Sequence, residues 1–253
     1  MQNTGIEAKT MQYDWIILGA TFAAAGMVSV LGERALILDS RPQAGYEFMN
    51  AMEPGGIPAE PMTAQAKLLL KKFREKGVYD GEIPCLFPAA SAFYETLRDQ
   101  EVLLGVTPVS VEWDTEGFRV TAHGVSGFRE FRARRVVDTR VRPWQVAGKA
   151  LKLLVSPYDH GEEAIPYGPD GDLLVSCTLS PDADWAEARR EAAKLLAELP
   201  GGSKLIYTAD EFAYTVKEVP APEDGLDYLP SAGFSNPVEA FDAGALWATE
   251  VRK

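Results

Sequence analysis

The residues best placed to do chemistry stand at the two ends of one short segment. Gly19 closes the apolar run Trp15-Ile16-Ile17-Leu18, and Asp39 closes a second, Ala35-Leu36-Ile37-Leu38, twenty residues after that glycine. Between them lies TFAAAGMVSVLG, a stretch of small and apolar residues fit for a buried helix. A glycine there lets a strand turn sharply into a helix, whose first N–H groups and positive dipole end then face an anion. An acid at the tip of the next strand can accept from ribose hydroxyls. Together these residues offer the chemistry of holding a dinucleotide by its phosphates and its sugar.

The loop departs from the usual fingerprint. In G-x-G-x-x-G the first glycine makes the turn, the second admits the pyrophosphate, and the third brings helix and strand together. Here those positions are Gly19, Thr21 and Ala24, within Gly19-Ala20-Thr21-Phe22-Ala23-Ala24. Ala24 adds one methyl. Thr21 narrows the approach, so the reading needs its hydroxyl to donate to a phosphate oxygen. The plain alternative is that any buried strand–helix–strand carries a glycine turn, with Asp39 merely a polar strand end.

These residues must be held by the elements around them. Continuous apolar strands such as Trp15–Leu18 belong in a parallel sheet covered on both faces. Gly32 is a plausible helix stop. The Pro- and Gly-rich SRPQAGYEFMNAMEPGGIPAEPM is a long irregular excursion, a length usually kept for function. A helix follows in TAQAKLLLKKFREKG, capped by Thr63, and another starts near Ala89. EVLLG, TPVSVEWD, GFRVTAHG, GFREFRARR and VVDTR then read as short strands, with a β-meander among them.

From about Leu151 strands alternate with glycine-rich turns. SPDADWAEARREAAKLLAELPGG is a predicted helix with Ser180 as cap and Pro181 first inside it. Its apolar stripe is Trp185, Ala188, Ala192, Leu195, Leu196 and Leu199. KLIYTADEFAYTV follows as a strand pair, and LPSAGFSNPVEAFDAGALWATEV is a loop entering a helix at Asn236-Pro237. The predicted organisation is α/β: a nucleotide-binding domain over residues 12–148, a small α+β domain over 149–224, and a return to the first domain over 225–253.

Composition narrows the partners. A net charge of −12 and a pI near 4.7 argue against nucleic acid and anionic membranes, which need concentrated Lys and Arg. With 46% hydrophobic residues the chain can bury a proper core. Cys85 and Cys177 lie far apart, which excludes paired-thiol reductases, and with only His123 and His160 no metal site is expected. The leader MQNTGIEAKTMQ has no apolar segment and no run approaches a bilayer span, so a cytoplasmic protein is expected.

Three segments carry a family resemblance. The opening strand–helix–strand, the ARRVVDTR strand and the tail LPSAGFSNPVEAFDAGALWA resemble, in the same order, FAD-dependent oxidoreductases of the glutathione-reductase-like superfamily. The resemblance implies a Rossmann-type FAD-binding domain with parallel sheet and β-meander, plus a small inserted α+β domain. It implies FAD as cofactor and a small-molecule substrate, with electrons from NAD(P)H or a redox partner protein. Segments such as FDAGALW could pack against a second copy.

Carried over residue by residue, Gly19, Thr21, Phe22 and Ala24 would surround the pyrophosphate. Asp39, Ser40 and Arg41 would serve the adenosine end, and the backbone of Val109 would meet the adenine. Asp138 and Thr139 end the VVDT strand, while Gly233, Phe234 and Asn236 would lie by the flavin, with the helix from Pro237 presenting free N–H groups. The departures are Thr21, Thr139-Arg140 in place of a Thr-Gly, and Phe234 in place of an acid. Tyr46, Glu47, Tyr158, His160 and Tyr167 are the polar and aromatic candidates for a role near the flavin. The alternative is a non-catalytic nucleotide-binding or partner protein whose site has lapsed.

Overall fold

Among the described residues the strands form two sheets. The computed structural model describes residues 11–79, 84–156, 165–167, 172–199, 203–218 and 225–252. In the first sheet β1 (Met11–Leu18) runs parallel to β2 (Ala35–Asp39), with Trp15 opposite Ala35 and Leu18 opposite Leu38. β3 (Glu101–Leu104) extends the sheet beyond β2. On the other side of β1 lies β6 (Gly127–Asp138), parallel to it, with Leu18 opposite Asp138.

The same β6 also closes the meander. Its first half pairs antiparallel with β5 (Gly117–Gly124), which pairs with β4 (Thr107–Asp114). The sequence suggested two strands, GFREFRARR and VVDTR; the structure has one of 12 residues. It is continuous because both halves find a partner: Phe131 and Ala133 pair with β5 as well as β1, and Val136 and Val137 carry on along β1. Among the described residues the order is β3-β2-β1-β6-β5-β4, with β12 (Asp227–Tyr228) added to β6.

Helix α1 (Phe22–Leu31) and helix α5 (Pro237–Val251) share one face of this sheet. Their backbones touch. A Cβ on Gly26 would overlap the carbonyl of Phe241, and one on Gly244 would overlap the carbonyl of Ala23. The small residues of α1 thus serve the close approach of this helix pair. Trp15 and Trp247 meet edge to face at 5.1 Å.

From α5, buried Asp242 starts α2 (Ala64–Glu75), accepting from Met62 N, Thr63 N and Thr63 Oγ1 at 2.7, 2.9 and 2.6 Å. α3 (Ala89–Thr96) sets Phe93 at 4.1 Å from Phe22, beside Phe48 and Phe73. All four rings are at most 1% exposed, and burying each contributes roughly 1.5–3 kcal/mol.

The second sheet is centred on β7 (Val146–Val155). It takes β9 (Leu173–Leu179) on one side and β10 (Leu205–Thr208) and β11 (Ala213–Val216) on the other, all antiparallel. β8 (Ile165–Pro166) pairs with β9. α4 (Trp185–Glu198) covers this sheet with Ala188 and Ala192. Its cap is Asp184, whose Oδ1 accepts from Glu187 N at 2.8 Å, and not Ser180. The correction has a local cause: Ala183 N bonds to Ser180 O at 3.0 Å, and this turn delays the helix to Trp185.

The excursion after β2 ties the two cores together. Phe48 enters the core of the first sheet and Met52 that of the second. Asn50 O accepts from Asp210 N at 3.0 Å and Glu211 N at 3.3 Å. Met52 has φ 52°, a left-handed conformation costing a non-glycine residue about 1–2 kcal/mol. Burial to 1% exposure offsets that cost.

Candidate functional site

β1 is flanked by β2 on one side and β6 on the other, so the strand order reverses there. Ligands of such sheets bind beyond the carboxyl ends of the strands at that point. Gly19, with φ 103°, turns the chain there, and a Cβ on it would press on Thr139 and Arg140. Thr21 follows as the cap of α1.

A helix begins with N–H groups that have no partner inside it. In α1 the protein supplies partners to the whole first turn. Phe22 N donates to Glu47 Oε1 at 2.7 Å, Ala23 N to Ser231 Oγ at 3.1 Å, and Ala24 N to Thr21 Oγ1 at 3.1 Å. The Ser231 hydroxyl donates onward to Glu47 Oε1 at 2.7 Å. Ser231 is fixed in turn by its own N–H, which donates to Thr139 O at 2.9 Å at the end of β6.

Glu47 is 4% exposed, and no cation pairs with it among the described residues. Its Oε2 is buried without a hydrogen-bond partner. Burial pushes its pKa up to about 7, while the bonds from Phe22 N and Ser231 act in the opposite direction. The carboxyl therefore sits where an anion would be welcomed by the helix end, yet at the edge of losing its own charge.

The acid of β2 is also engaged. Asp39 is wholly buried; its Oδ2 accepts from Ala20 N at 2.6 Å and its Oδ1 from Arg41 N at 2.8 Å. Arg41 lies over the Tyr46 ring at 3.9 Å and pairs with Glu211 at 2.5 Å. Burial pushes the Tyr46 phenol well above its ordinary value. Asp138, 1% exposed, takes a two-pronged bond from Arg140, with Nε and Nη2 both at 2.9 Å, and Arg142 stands 3.5 Å away.

Thr21 differs from expectation. Its hydroxyl donates to Thr139 Oγ1 at 2.8 Å and accepts from Ala24 N, and the residue is 1% exposed. Thr139 Oγ1 donates to Leu18 O at 3.0 Å. The hydroxyl thus caps the helix and ties α1 to β6, leaving no proton for a phosphate.

The other expected residues are scattered. Ala24 and Phe22 are fully buried, the latter among aromatic rings, and Ser40 is exposed. Val109 is 59% exposed at a bulge in β4. The backbone beside Asp39 belongs instead to Val106, whose N–H donates to Asp39 O at 2.8 Å.

Asn236 is the cap of α5, its Oδ1 accepting from Val238 N at 3.1 Å and Glu239 N at 3.0 Å. That corrects the expectation of free N–H groups at that helix end. Gly233 and Phe234 line a separate cavity of about 670 Å³ with Trp144, Gln145, Lys217 and Tyr228. Tyr167 belongs to the second core, where its hydroxyl accepts from Leu86 N at 3.1 Å. Tyr158 and His160 lie outside the described residues.

No family model matches the chain, and no curated protein does. Solved structures do. The chain is similar to p-nitrophenol 4-monooxygenase PnpA from Pseudomonas putida DLL-E4, at 15% identity and a TM-score of 0.60 over 96% of this chain and 79% of that one. OxyS anhydrotetracycline hydroxylase from Streptomyces rimosus aligns at 14% identity and 0.62, over 96% and 63%. A flavoprotein/dehydrogenase from Cytophaga hutchinsonii gives 14% and 0.56, over 94% and 77%. The chain therefore has the mixed α/β, Rossmann-type fold of these proteins, with a small second sheet. It spans 63% to 79% of the length of these three.

The cofactor implied by that fold is FAD, and its pyrophosphate would sit at the first turn of α1. Thr21, Arg41, Tyr46, Glu47, Thr139 and Arg140 there enclose a cavity of about 40 Å³, room for two or three water molecules. The three N–H groups of the turn are already bonded. With Glu47 in place the seat does not fit a pyrophosphate.

Proposed function

We propose that the chain is an FAD-dependent oxidoreductase acting on a small molecule, with NAD(P)H or a redox protein as electron source. The supporting observation is the turn from β1 into α1 at the strand-order reversal, with Gly19 and Asp39 on either side, in a chain that aligns over 96% of its length with a flavoprotein fold. FAD, when bound, supplies the electron or hydride transfer. A place within the glutathione-reductase-like superfamily, and in the cytoplasm, belongs to the same proposal. No described helix is long and apolar enough to cross a membrane. Purified protein should be yellow, with flavin absorbance that bleaches on reduction. Colourless protein that takes up no FAD on reconstitution would sink this reading.

The bonded first turn of α1 supports a second reading: a non-catalytic partner protein that keeps the fold without the cofactor. On that reading Asp39→Ala lowers stability and changes no flavin content. Both readings expect this loss of stability, so the flavin spectrum of that one variant separates the two.

A further inference from the structure

We propose that Glu47 is an internal anion that fills the phosphate seat at the first turn of α1, so that the protein's own carboxylate competes with a ligand's phosphate. The proposal rests on the reading of that turn as a nucleotide seat.

Three observations carry it. First, Oε1 takes two donors on the ligand side of the turn, Phe22 N at 2.7 Å and the Ser231 hydroxyl at 2.7 Å. A phosphate oxygen would take the same two. Second, Oε2 is buried, has no partner, and belongs to a residue lining the cavity of about 40 Å³. The hydrogen-bond network around this carboxyl is therefore unfinished. A structural carboxylate of a packed core would have both oxygens bonded, as Asp39 and Asp138 do here.

Third, charge accumulates around the seat. Asp39, Glu47, Asp138 and Glu211 are each no more than 8% exposed. Arg41 is paired to Glu211, and Arg140 and Arg142 to Asp138. Asp39 and Glu47 have only neutral donors, and of these four acids Glu47 alone keeps an oxygen without a hydrogen bond. A pyrophosphate dianion arriving beside it would meet a like charge at short range in a poorly solvated place.

The excursion is anchored on both sides of the carboxyl, since Tyr46 is 6% and Phe48 1% exposed. Entry of a phosphate therefore requires the Glu47 side chain to swing out or take up a proton, without the backbone moving. Removing the carboxyl should open the seat.

The test measures binding of inorganic pyrophosphate, and separately of FAD, to the wild type, Glu47→Ala and Glu47→Gln, with melting temperature followed alongside. Pyrophosphate should bind Glu47→Ala at least about tenfold more tightly than wild type, with Glu47→Gln between them. Pyrophosphate should also raise the melting temperature of Glu47→Ala more than that of wild type. If Glu47→Ala fails to fold, Glu47→Gln, which keeps the size and an acceptor for Phe22 N, carries the same comparison.

Equal pyrophosphate affinity in all folded proteins overturns the proposal. So does FAD bound equally by wild type and variants, although the proposed function then stands. A gain for pyrophosphate with no FAD bound by any of the three proteins supports the internal anion and removes the FAD reading.

Discussion

Ser231 and Glu47, 184 residues apart in sequence, share a hydrogen bond of 2.7 Å across the first turn of α1. Each also receives one of two successive helix amides. The tail loop and the excursion after β2 are thereby joined at the point where the first helix begins.

This pair makes a pH prediction. A carboxyl with pKa about 7 in the folded protein and 4.5 unfolded holds its proton more tightly when folded. The stability this contributes is present below the unfolded pKa and is lost as pH rises from about 4.5 to about 7, by roughly 3 kcal/mol. Urea unfolding of wild type and Glu47→Gln across this window should show the wild type losing stability relative to the variant. A difference that stays flat with pH refutes it.

Asp39→Ala leaves Ala20 N and Arg41 N without their acceptor in a fully buried place. An unmade buried bond costs about 1–3 kcal/mol, so the variant should lose on the order of 2–5 kcal/mol. Denaturant unfolding without any added nucleotide measures it. A loss below about 1 kcal/mol would leave ribose binding as the residue's only task.

Gly26→Ala and Gly244→Ala drive a methyl into a helix carbonyl. Each should destabilise by about 1–3 kcal/mol or prevent folding, because two backbones in contact cannot yield as a side chain can. The same change at Gly56, where nothing lies within 4 Å, provides the contrast and should cost far less. Thermal melts of the three variants decide it.

Thr21→Val keeps the shape and removes the cap to Ala24 N and the bond to Thr139. A lost cap costs about 0.5–2 kcal/mol. Thr21→Ser restores both bonds and should recover most of the loss. Equal stability of the two variants would show the hydroxyl to be idle.

The first strand–helix–strand was legible because each of its signals is local: apolar runs for β1 and β2, a glycine for the turn, Gly32 for the stop. The start of α5 was legible for the same reason, since Asn236-Pro237 states a cap within two residues. The start of α4 was misjudged because Ser180-Pro181 makes an equally good local start, and only the turn through Ala183 hands the cap to Asp184.

The occupied first turn of α1 was not legible at all. Thr21, Glu47, Thr139 and Ser231 meet only after the excursion and the tail have folded back onto β1 and β6. No spacing in sequence records that meeting. Glu47 stood out merely as a polar residue in a long loop, and nothing local announces that a carboxylate will be buried against a helix end.

The contact between Gly26 and Phe241 bears on how the protein is made. A ribosome delivers α1 more than two hundred residues before the helix that lies against it. Throughout that interval the small-residue face of α1 lacks the helix that covers it in the folded protein. α1 thus completes its packing only once α5 has been made, and slowing synthesis ahead of α5 should raise aggregation of the nascent chain.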